Sequence, residues 1–223
     1  MKYSLFLPAT FGAFLALSGV AFAETAVSAT TDLNVRAGPG PQYPVIGVIA
    51  AGQSAILRGC LDNSKWCSIS DSGGEGWVYA DYLVGDFGGQ QAVLSQRPAD
   101  SGVVMVERPK GGGDTGAVVG GVTGAIAGAV IGGPVGAAVG GGAGVIAGGA
   151  TGTAIDPPGE VRTYVVSRPL EPVYLDGEVV VGASLPETVQ LAEIPDYQYR
   201  YVYVNNQPVL VEPSTRRIVY VMR

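Results

Sequence analysis

The segment LNVRAGPGPQYPVIGVI (residues 33–49) predicts two short β-strands joined by a loop rich in glycine and proline. Its first five residues alternate between apolar and polar side chains, which is typical of a strand with one buried face. The glycine and proline residues at positions 38–41 then force a sharp loop. The apolar run over residues 44–49 indicates the second strand, so this segment favours a small all-β fold.

Further strand patterns occupy the residues that follow. They cover residues 54–58, 66–69 and 76–79, and the last of them runs into residues 80–83. Five or six short strands within about sixty residues predict a closed or half-open barrel. We therefore expect one small barrel domain over residues 24–86.

Residues 1–23 have the features of a secretory signal peptide. Lys2 gives a positive start, residues 5–17 form an apolar core, and residues 21–23 (AFA) form a small-x-small cleavage site. A permanent membrane anchor is the alternative, but the apolar run is short for a span of ~20 residues. We expect an exported protein of the periplasm, associated with the membrane of the cell envelope, with Glu24 as its mature start.

Cys60 and Cys67 are the two cysteines of the chain. An even number of cysteines in an exported chain predicts a disulfide, which here would close a loop of eight residues. Such a bond suits a barrel whose small core gives only marginal stability. A zinc site is the alternative, but two cysteines in a chain without histidine are too few ligands. We therefore predict no metal and no cofactor.

Three parts of the predicted barrel carry a resemblance. The run LNVRAGPG (residues 33–40), Trp66 and the run GWVYADYL (residues 76–83) resemble the bacterial SH3-like (SH3b) family. The resemblance spans the whole of the predicted barrel. It implies a recognition module that binds peptidoglycan or cell-wall peptide, with no catalytic residues of its own.

Candidate binding residues lie on the first strand and among the aromatic residues. Asn34 and Arg36 alternate with apolar neighbours, so we expect their side chains to face outward beside the loop. A guanidinium suits the carboxylate of a wall peptide, and aromatic rings with a polar group suit peptide or sugar. The predicted ligand-binding residues are Asn34, Arg36, Tyr43, Trp66, Trp77 and Tyr79. Packing inside the barrel is the alternative role of the aromatic residues, and it is favoured for Trp66 and Tyr82.

Residues 87–115 have a mixed polar composition, which predicts a flexible linker. A glycine-rich segment follows this linker. Glycine recurs every four residues from Gly116 to Gly152, ten times without a miss, and no charged residue interrupts the series. Small residues four apart let helices pack closely in lipid. Pro134 divides the segment into two arms of seventeen residues, each at the short limit for a membrane span.

This segment resembles the glycine-zipper domains of bacterial envelope proteins. The resemblance implies a glycine-rich helical hairpin over residues 116–155 that enters a membrane and returns, which makes the membrane a partner. The glycines expected to pack the helices are Gly120, Gly124, Gly128, Gly136, Gly140, Gly144 and Gly148. A glycine-rich linker is the alternative.

Residues 156–223 predict a second small antiparallel β domain. We expect a strand over residues 161–166, a hairpin with an Asp-Gly turn over residues 173–181, and a meander over residues 197–222 whose alternate tyrosines pack on one face. The sequences LPETVQLAEIPD and YRYVYVNNQPVLVEPSTRRIVYV in this domain are similar to an uncharacterised carboxy-terminal domain of exported bacterial proteins. The predicted fold class is mainly β: a small SH3-like barrel, a glycine-rich helical hairpin and this second domain.

Composition limits the function. The chain contains no histidine, which removes the commonest general base and metal ligand. Its net charge is −6 and it has no basic stripe, so we expect no nucleic-acid partner. We predict a non-enzymatic envelope protein that binds peptidoglycan or cell-wall peptide and is tethered by its glycine-zipper membrane hairpin. The alternative is a homo-oligomeric membrane assembly or pore built from the hairpins.

Overall fold

The structure is a computed structural model that describes residues 24–62, 64–107, 125–131 and 155–223. Within these residues the chain is mainly β, with a nine-stranded sheet, a four-stranded sheet, a pair of short strands and one short α-helix. The predicted signal peptide lies outside the described residues.

The amino-terminal sheet is formed by the predicted barrel and by residues that follow it. Its strands are β1 (Thr25–Ala29), β2 (Leu33–Arg36), β3 (Val45–Ile49), β4 (Ser54–Leu61), β5 (Trp66–Asp71), β6 (Gly74–Tyr79), β7 (Leu83–Asp86), β8 (Gln91–Val93) and β9 (Met105–Val106). Their order is β3-β2-β6-β5-β4-β1-β7-β8 with antiparallel neighbours, and β9 pairs in parallel with β4. The five strands predicted from the sequence are present as β2 to β6. Strands β1, β7, β8 and β9 complete the sheet.

The predicted disulfide between Cys60 and Cys67 is confirmed. It joins β4 to β5, where the two residues lie directly opposite each other with their Cα atoms 3.9 Å apart. The bond therefore links two neighbouring strands in the middle of the sheet order.

Part of the segment predicted as a linker belongs to this sheet. Strand β8 and the 3₁₀ turn Leu94–Gln96 follow β7 directly, and Leu94 is fully buried. Strand β9 fits beside β4 because Gly59 has no side chain: a Cβ there would lie 2.8 Å from the carbonyl oxygen of Val104. Burial of a few apolar residues thus orders a stretch whose composition resembles a linker.

The carboxy-terminal sheet contains the predicted meander. Its strands are β12 (Ala192–Glu193), β13 (Arg200–Val204), β14 (Gln207–Glu212) and β15 (Arg217–Val221), in that order and all antiparallel. The turn between β13 and β14 is made by Asn205 and Asn206, both with positive φ, as a tight hairpin requires.

The strand predicted over residues 161–166 is wrong, because Gly159–Ser167 is an α-helix, α1. Its two buried residues, Val161 and Val165, are four positions apart and pack on the tyrosine face of the carboxy-terminal sheet. The hydroxyls of Tyr201 and Tyr203 donate to carbonyl oxygens at the end of the helix. Packing against this sheet outweighs the β propensity of the valines.

The hairpin predicted over residues 173–181 is also absent. Strand β11 (Tyr174–Asp176) pairs in parallel with β10 (Ala125–Val130), and residues 178–181 form no strand. The side chain of Asn205 accepts from the backbone N–H of Leu175 and donates to the carbonyl oxygen of Gly177. These bonds hold the segment against the β13–β14 turn instead of letting it fold back on itself.

The glycine-rich segment is described only over residues 125–131. There it forms strand β10, which includes Gly128, where a helix was predicted. The other glycines of the predicted packing set lie outside the described residues. In the part of the chain that the structure describes, no helix has the length and apolar character needed to cross a membrane.

One apolar core contains side chains from both sheets. Leu33 and Ile69 contribute from the amino-terminal sheet, Val209 and Ile218 from the carboxy-terminal sheet, and Ile131 from the glycine-rich segment, directly after β10. The two sheets are therefore packed together over a buried apolar surface.

Candidate functional site

The predicted ligand-binding residues separate into a buried polar pair, a buried aromatic pair and two half-buried aromatic residues. Asn34 and Arg36 are 0% and 1% exposed. They do point away from the barrel side of β2, as the alternation predicts, but residues of the carboxy-terminal domain cover them. The expectation that they face solvent is therefore wrong, while their role in binding a ligand stays a prediction.

Arg36 uses both sides of its guanidinium. Nη1 donates to the carbonyl oxygens of Pro41, at 3.0 Å, and Tyr43, at 2.7 Å. Nε and Nη2 donate to Oε2 and Oε1 of Glu178, at 2.5 and 2.6 Å. The first two bonds fix the guanidinium to the loop of its own domain. The other two make a bidentate contact with a carboxylate of the carboxy-terminal domain.

Asn34 adds a third donor to the same carboxylate. Its Nδ2 donates to Oε1 of Glu178, at 2.9 Å, and to Oε1 of Gln207, at 2.7 Å. Its Oδ1 accepts from Nε of Arg223, at 3.3 Å. Oε1 of Glu178 also accepts from the backbone N–H of Val179, at 2.8 Å. We call Asn34, Arg36, Glu178 and Gln207 the buried polar cluster.

The charges of the buried polar cluster balance. Arg36 and Glu178 are both almost inaccessible to water, so each depends on the other for compensation of its charge. Among the described residues, no buried side-chain nitrogen or oxygen lacks a hydrogen-bond partner. The cluster is thus a complete polar network at the contact between the two domains.

Trp66 and Tyr79 lie in the core. They are 3% and 5% exposed, and their rings meet edge to face with centroids 5.4 Å apart. Tyr82 is also buried, with its ring centroid 6.3 Å from that of Tyr79. Burial, more than the nearby negative charges, raises the pKa of both the Tyr79 and the Tyr82 phenol. The burial of all three rings fits packing, the alternative that the sequence left open, and the ligand-binding role of Trp66 and Tyr79 stays a prediction.

Trp77 and Tyr43 are half-buried and lie on either side of Arg36. Trp77 is opposite Arg36 in the pairing of β2 with β6, and the carbonyl of Tyr43 holds the guanidinium. The Tyr43 ring lies against Gly38, where a Cβ would come within 2.4 Å of it. These two rings are the members of the predicted set that a ligand can reach without separating the domains.

Sequence reasoning missed Glu178, Gln207 and Arg223. Glu178 had a signal: it stands directly before the valine run of residues 179–181, and a charged residue beside buried apolar neighbours needs a partner. Its partner is about 140 residues away in sequence, and no local pattern identifies it. In the described ranges, no group of three acidic, cysteine or histidine residues is placed to hold a metal ion.

Comparison with known proteins identifies two segments. Residues 31–84 match the model of the bacterial SH3 domain, and residues 164–223 match a domain of unknown function, DUF1236. These matches confirm the SH3-like resemblance and the uncharacterised carboxy-terminal domain. Neither family description names a catalytic activity.

Over 80 residues the chain is 34% identical to the putative N-acetylmuramoyl-L-alanine amidase YrvJ of Bacillus subtilis (strain 168). The aligned stretch covers 35% of this chain and 15% of that relative, so the chain matches only a small part of it. No solved structure matches the chain. The bacterial SH3 domain and the disulfide together indicate an extracellular or periplasmic protein.

Proposed function

We propose that this chain is a non-enzymatic cell-envelope protein whose bacterial SH3 domain binds peptidoglycan or cell-wall peptide. The observation that carries the proposal is the SH3 match over residues 31–84, on a sheet that leaves Trp77 and Tyr43 accessible. The relative that matches 80 residues is named for N-acetylmuramoyl-L-alanine, and this name supports a wall ligand. Catalysis is not part of the proposal, because the chain has no histidine and neither family description names a reaction.

Half-buried aromatic rings suit such a ligand. Each ring offers an apolar face to a sugar or peptide and a polar group at its edge. Trp77 is the strand partner of Arg36 and the backbone carbonyl of Tyr43 accepts from its guanidinium, so a ligand bound to these two residues would lie near the buried polar cluster. Trp77 and Tyr43 are therefore the residues through which we expect the chain to bind its ligand.

The test is cosedimentation of the purified mature chain with insoluble peptidoglycan. We expect wild-type protein to cosediment, and Trp77→Ala and Tyr43→Ala each to weaken binding about tenfold. Tyr220→Ala is the matched control, because it removes a half-buried ring from the carboxy-terminal sheet, where Arg162 lies over it. A wild-type chain that stays in the supernatant contradicts the proposal, and so does release of soluble wall fragments.

A membrane tether is a second candidate function, which the glycine pattern favours. Ten glycines spaced four apart, in a segment without charge, suit close packing of helices in lipid. Strand β10 occupies part of this segment in the described structure, so the tether requires residues 125–130 to change conformation. Retention of the protein in a carbonate-washed membrane pellet supports the tether, and recovery in the wash excludes it.

Detergent extraction of the membrane pellet, followed by measurement of oligomer size, tests the oligomeric assembly. If the hairpins form an assembly, Gly124→Leu and Gly128→Leu will abolish oligomers that survive in detergent. Thr151→Leu is a control at a position outside the glycine series. Oligomers that persist in both glycine variants would contradict the assembly.

A further inference from the structure

We propose that Arg36 and Asn34 form a carboxylate-binding site of the SH3 domain and that Glu178 fills this site from within the same chain. The inference rests on the proposed function, and it names the ligand chemistry and its internal competitor. The expected ligand is a peptide with a free carboxylate. Such a ligand has to displace the Glu178 side chain before it can bind.

The donor side chains of this site belong to one domain. Both side chains that hold the carboxylate come from strand β2, where positions 34 and 36 share a face. The carbonyl oxygens of Pro41 and Tyr43 hold Nη1 of Arg36, so the loop orients the guanidinium without help from the carboxy-terminal domain. The Nε and Nη2 edge is left to meet a carboxylate.

The occupant has the geometry of a bound ligand. Glu178 is in an irregular segment between β11 and β12, outside any strand, and its carboxylate accepts from all three donors of β2. Nδ2 of Asn34 also donates to the carbonyl oxygen of Val179 and to Oε1 of Gln207. Both carboxylate oxygens are used, one by Nε and the other by Nη2 and Asn34. A planar fork that accepts a carboxylate in this way recognises any carboxylate of the same shape.

The competition sets the apparent affinity. A ligand can enter only in the fraction of molecules in which the contact with Glu178 is open, so its apparent Kd equals the intrinsic Kd divided by that fraction. The closed form leaves Trp77 and Tyr43 accessible, and weak wall binding does not require opening. Carboxylate-dependent binding is the property that Glu178 suppresses.

Glu178→Gln in the full mature chain tests this competition. The substitution keeps the shape of the side chain and removes its charge. Glu193→Gln is the matched control, because Glu193 is 78% exposed and pairs with Arg200 on the surface of the same domain. The probe is the stem peptide L-Ala-γ-D-Glu-L-Lys-D-Ala, compared with the same peptide whose carboxylates are amidated.

We expect Glu178→Gln to bind the free-acid peptide about tenfold more tightly than wild type, with no gain for the amidated peptide. Glu193→Gln should behave as wild type, and adding Arg36→Gln should abolish the gain. No gain in a folded Glu178→Gln chain overturns the inference, as does a gain that survives Arg36→Gln. Equal binding of an ordinary L-peptide acid of the same length also supports the inference, because the proposed ligand is a peptide with a free carboxylate.

If Glu178→Gln does not fold, amide hydrogen exchange of the wild-type chain tests whether a peptide displaces Glu178. The backbone N–H of Val179 donates to the carboxylate of Glu178, so this N–H loses its acceptor when the carboxylate is displaced. Saturating free-acid peptide should accelerate its exchange, while the amidated peptide should not. Equal exchange with both peptides overturns the inference.

The two proposals fail separately. If wild type, Glu178→Gln and Glu193→Gln all cosediment with peptidoglycan but Glu178→Gln gains no affinity for the free-acid peptide, the competition is wrong and the wall-binding function stands. If none of these three proteins cosediments while Glu178→Gln gains affinity for the free-acid peptide, the carboxylate site stands and its ligand is not the intact wall.

Discussion

Arg36 and Glu178 have almost no access to water, and each therefore depends strongly on the other. We expect Arg36→Met alone, or Glu178→Leu alone, to lower the free energy of unfolding by about 3–5 kcal/mol, because each leaves a buried charge without a partner. The double variant should lower the free energy of unfolding by about 2 kcal/mol less than the sum of the two single variants, since it removes both charges. Urea unfolding of the four proteins measures this coupling.

The surface pair of Arg200 and Glu193 is the control for that cycle. Nη2 of Arg200 lies 2.8 Å from Oε1 of Glu193, but the side chain of Glu193 is largely exposed. The same substitutions there should show a coupling below about 1 kcal/mol. A buried pair with a coupling no larger than the surface pair would mean that water reaches Arg36 and Glu178 in solution.

We expect burial of Tyr82 to make the stability of the chain depend on alkaline pH. Burial raises the pKa of its phenol above the usual value, with Asp81, Tyr79 and Glu178 adding to the shift. In the unfolded chain the phenol ionises near pH ~10. The unfolded state therefore releases a proton that the folded state keeps, and stability falls as pH rises above about 10.

Urea midpoints measured between about pH 8 and about pH 11 test this expectation. The wild-type midpoint should be flat at the lower end and should fall at the upper end. Tyr82→Phe should fall less steeply, and Tyr220→Phe should follow wild type. A Tyr82→Phe curve parallel to wild type would show that burial of this phenol does not control the alkaline response.

The polar half of the candidate site could be predicted in part. The alternation along LNVR placed Asn34 and Arg36 on the same face, and a guanidinium suggested a carboxylate as its partner. The source of that carboxylate in this structure could not be predicted, because Glu178 belongs to another domain. Local patterns describe the face of a strand but not which distant segment covers it.

The bond between Cys60 and Cys67 stabilises the pairing of β4 with β5. By the entropy of closing a loop of eight residues, Cys60→Ala/Cys67→Ala should lower the free energy of unfolding by about 2.5 kcal/mol. Reduction of the wild-type chain should lower the urea midpoint by a similar amount and should leave the double variant unchanged. A double variant as stable as oxidised wild type would show that strain in the native bond offsets the entropic gain.

Strands were predictable where alternation and turn residues agreed. Strands β2 to β6, and the meander β13 to β15, were predicted close to their observed bounds. Helix α1 was missed because its valines have high β propensity, while its two buried valines meet the sheet at a helical spacing. Strand β10 was missed because its pairing with β11 depends on a distant segment.

At the scale of the whole molecule, the two matched domains share one core. Apolar residues of both sheets belong to the same buried cluster, and the buried polar cluster crosses the contact between them. Separate family matches over residues 31–84 and 164–223 would suggest independent modules. The shared core instead implies that each domain loses buried surface when the other unfolds.

Coincident unfolding of the two sheets is the consequence that can be measured. The chain's two tryptophans, Trp66 and Trp77, report on the amino-terminal sheet, and amide exchange in β14 reports on the carboxy-terminal sheet. We expect both probes to give one urea midpoint, because a shared core makes the transition cooperative. Glu193→Gln should keep the midpoints together, since Glu193 lies on the surface. Midpoints that differ in wild type would show that the sheets fold independently and that the contact through Arg36 and Glu178 is too weak to couple them.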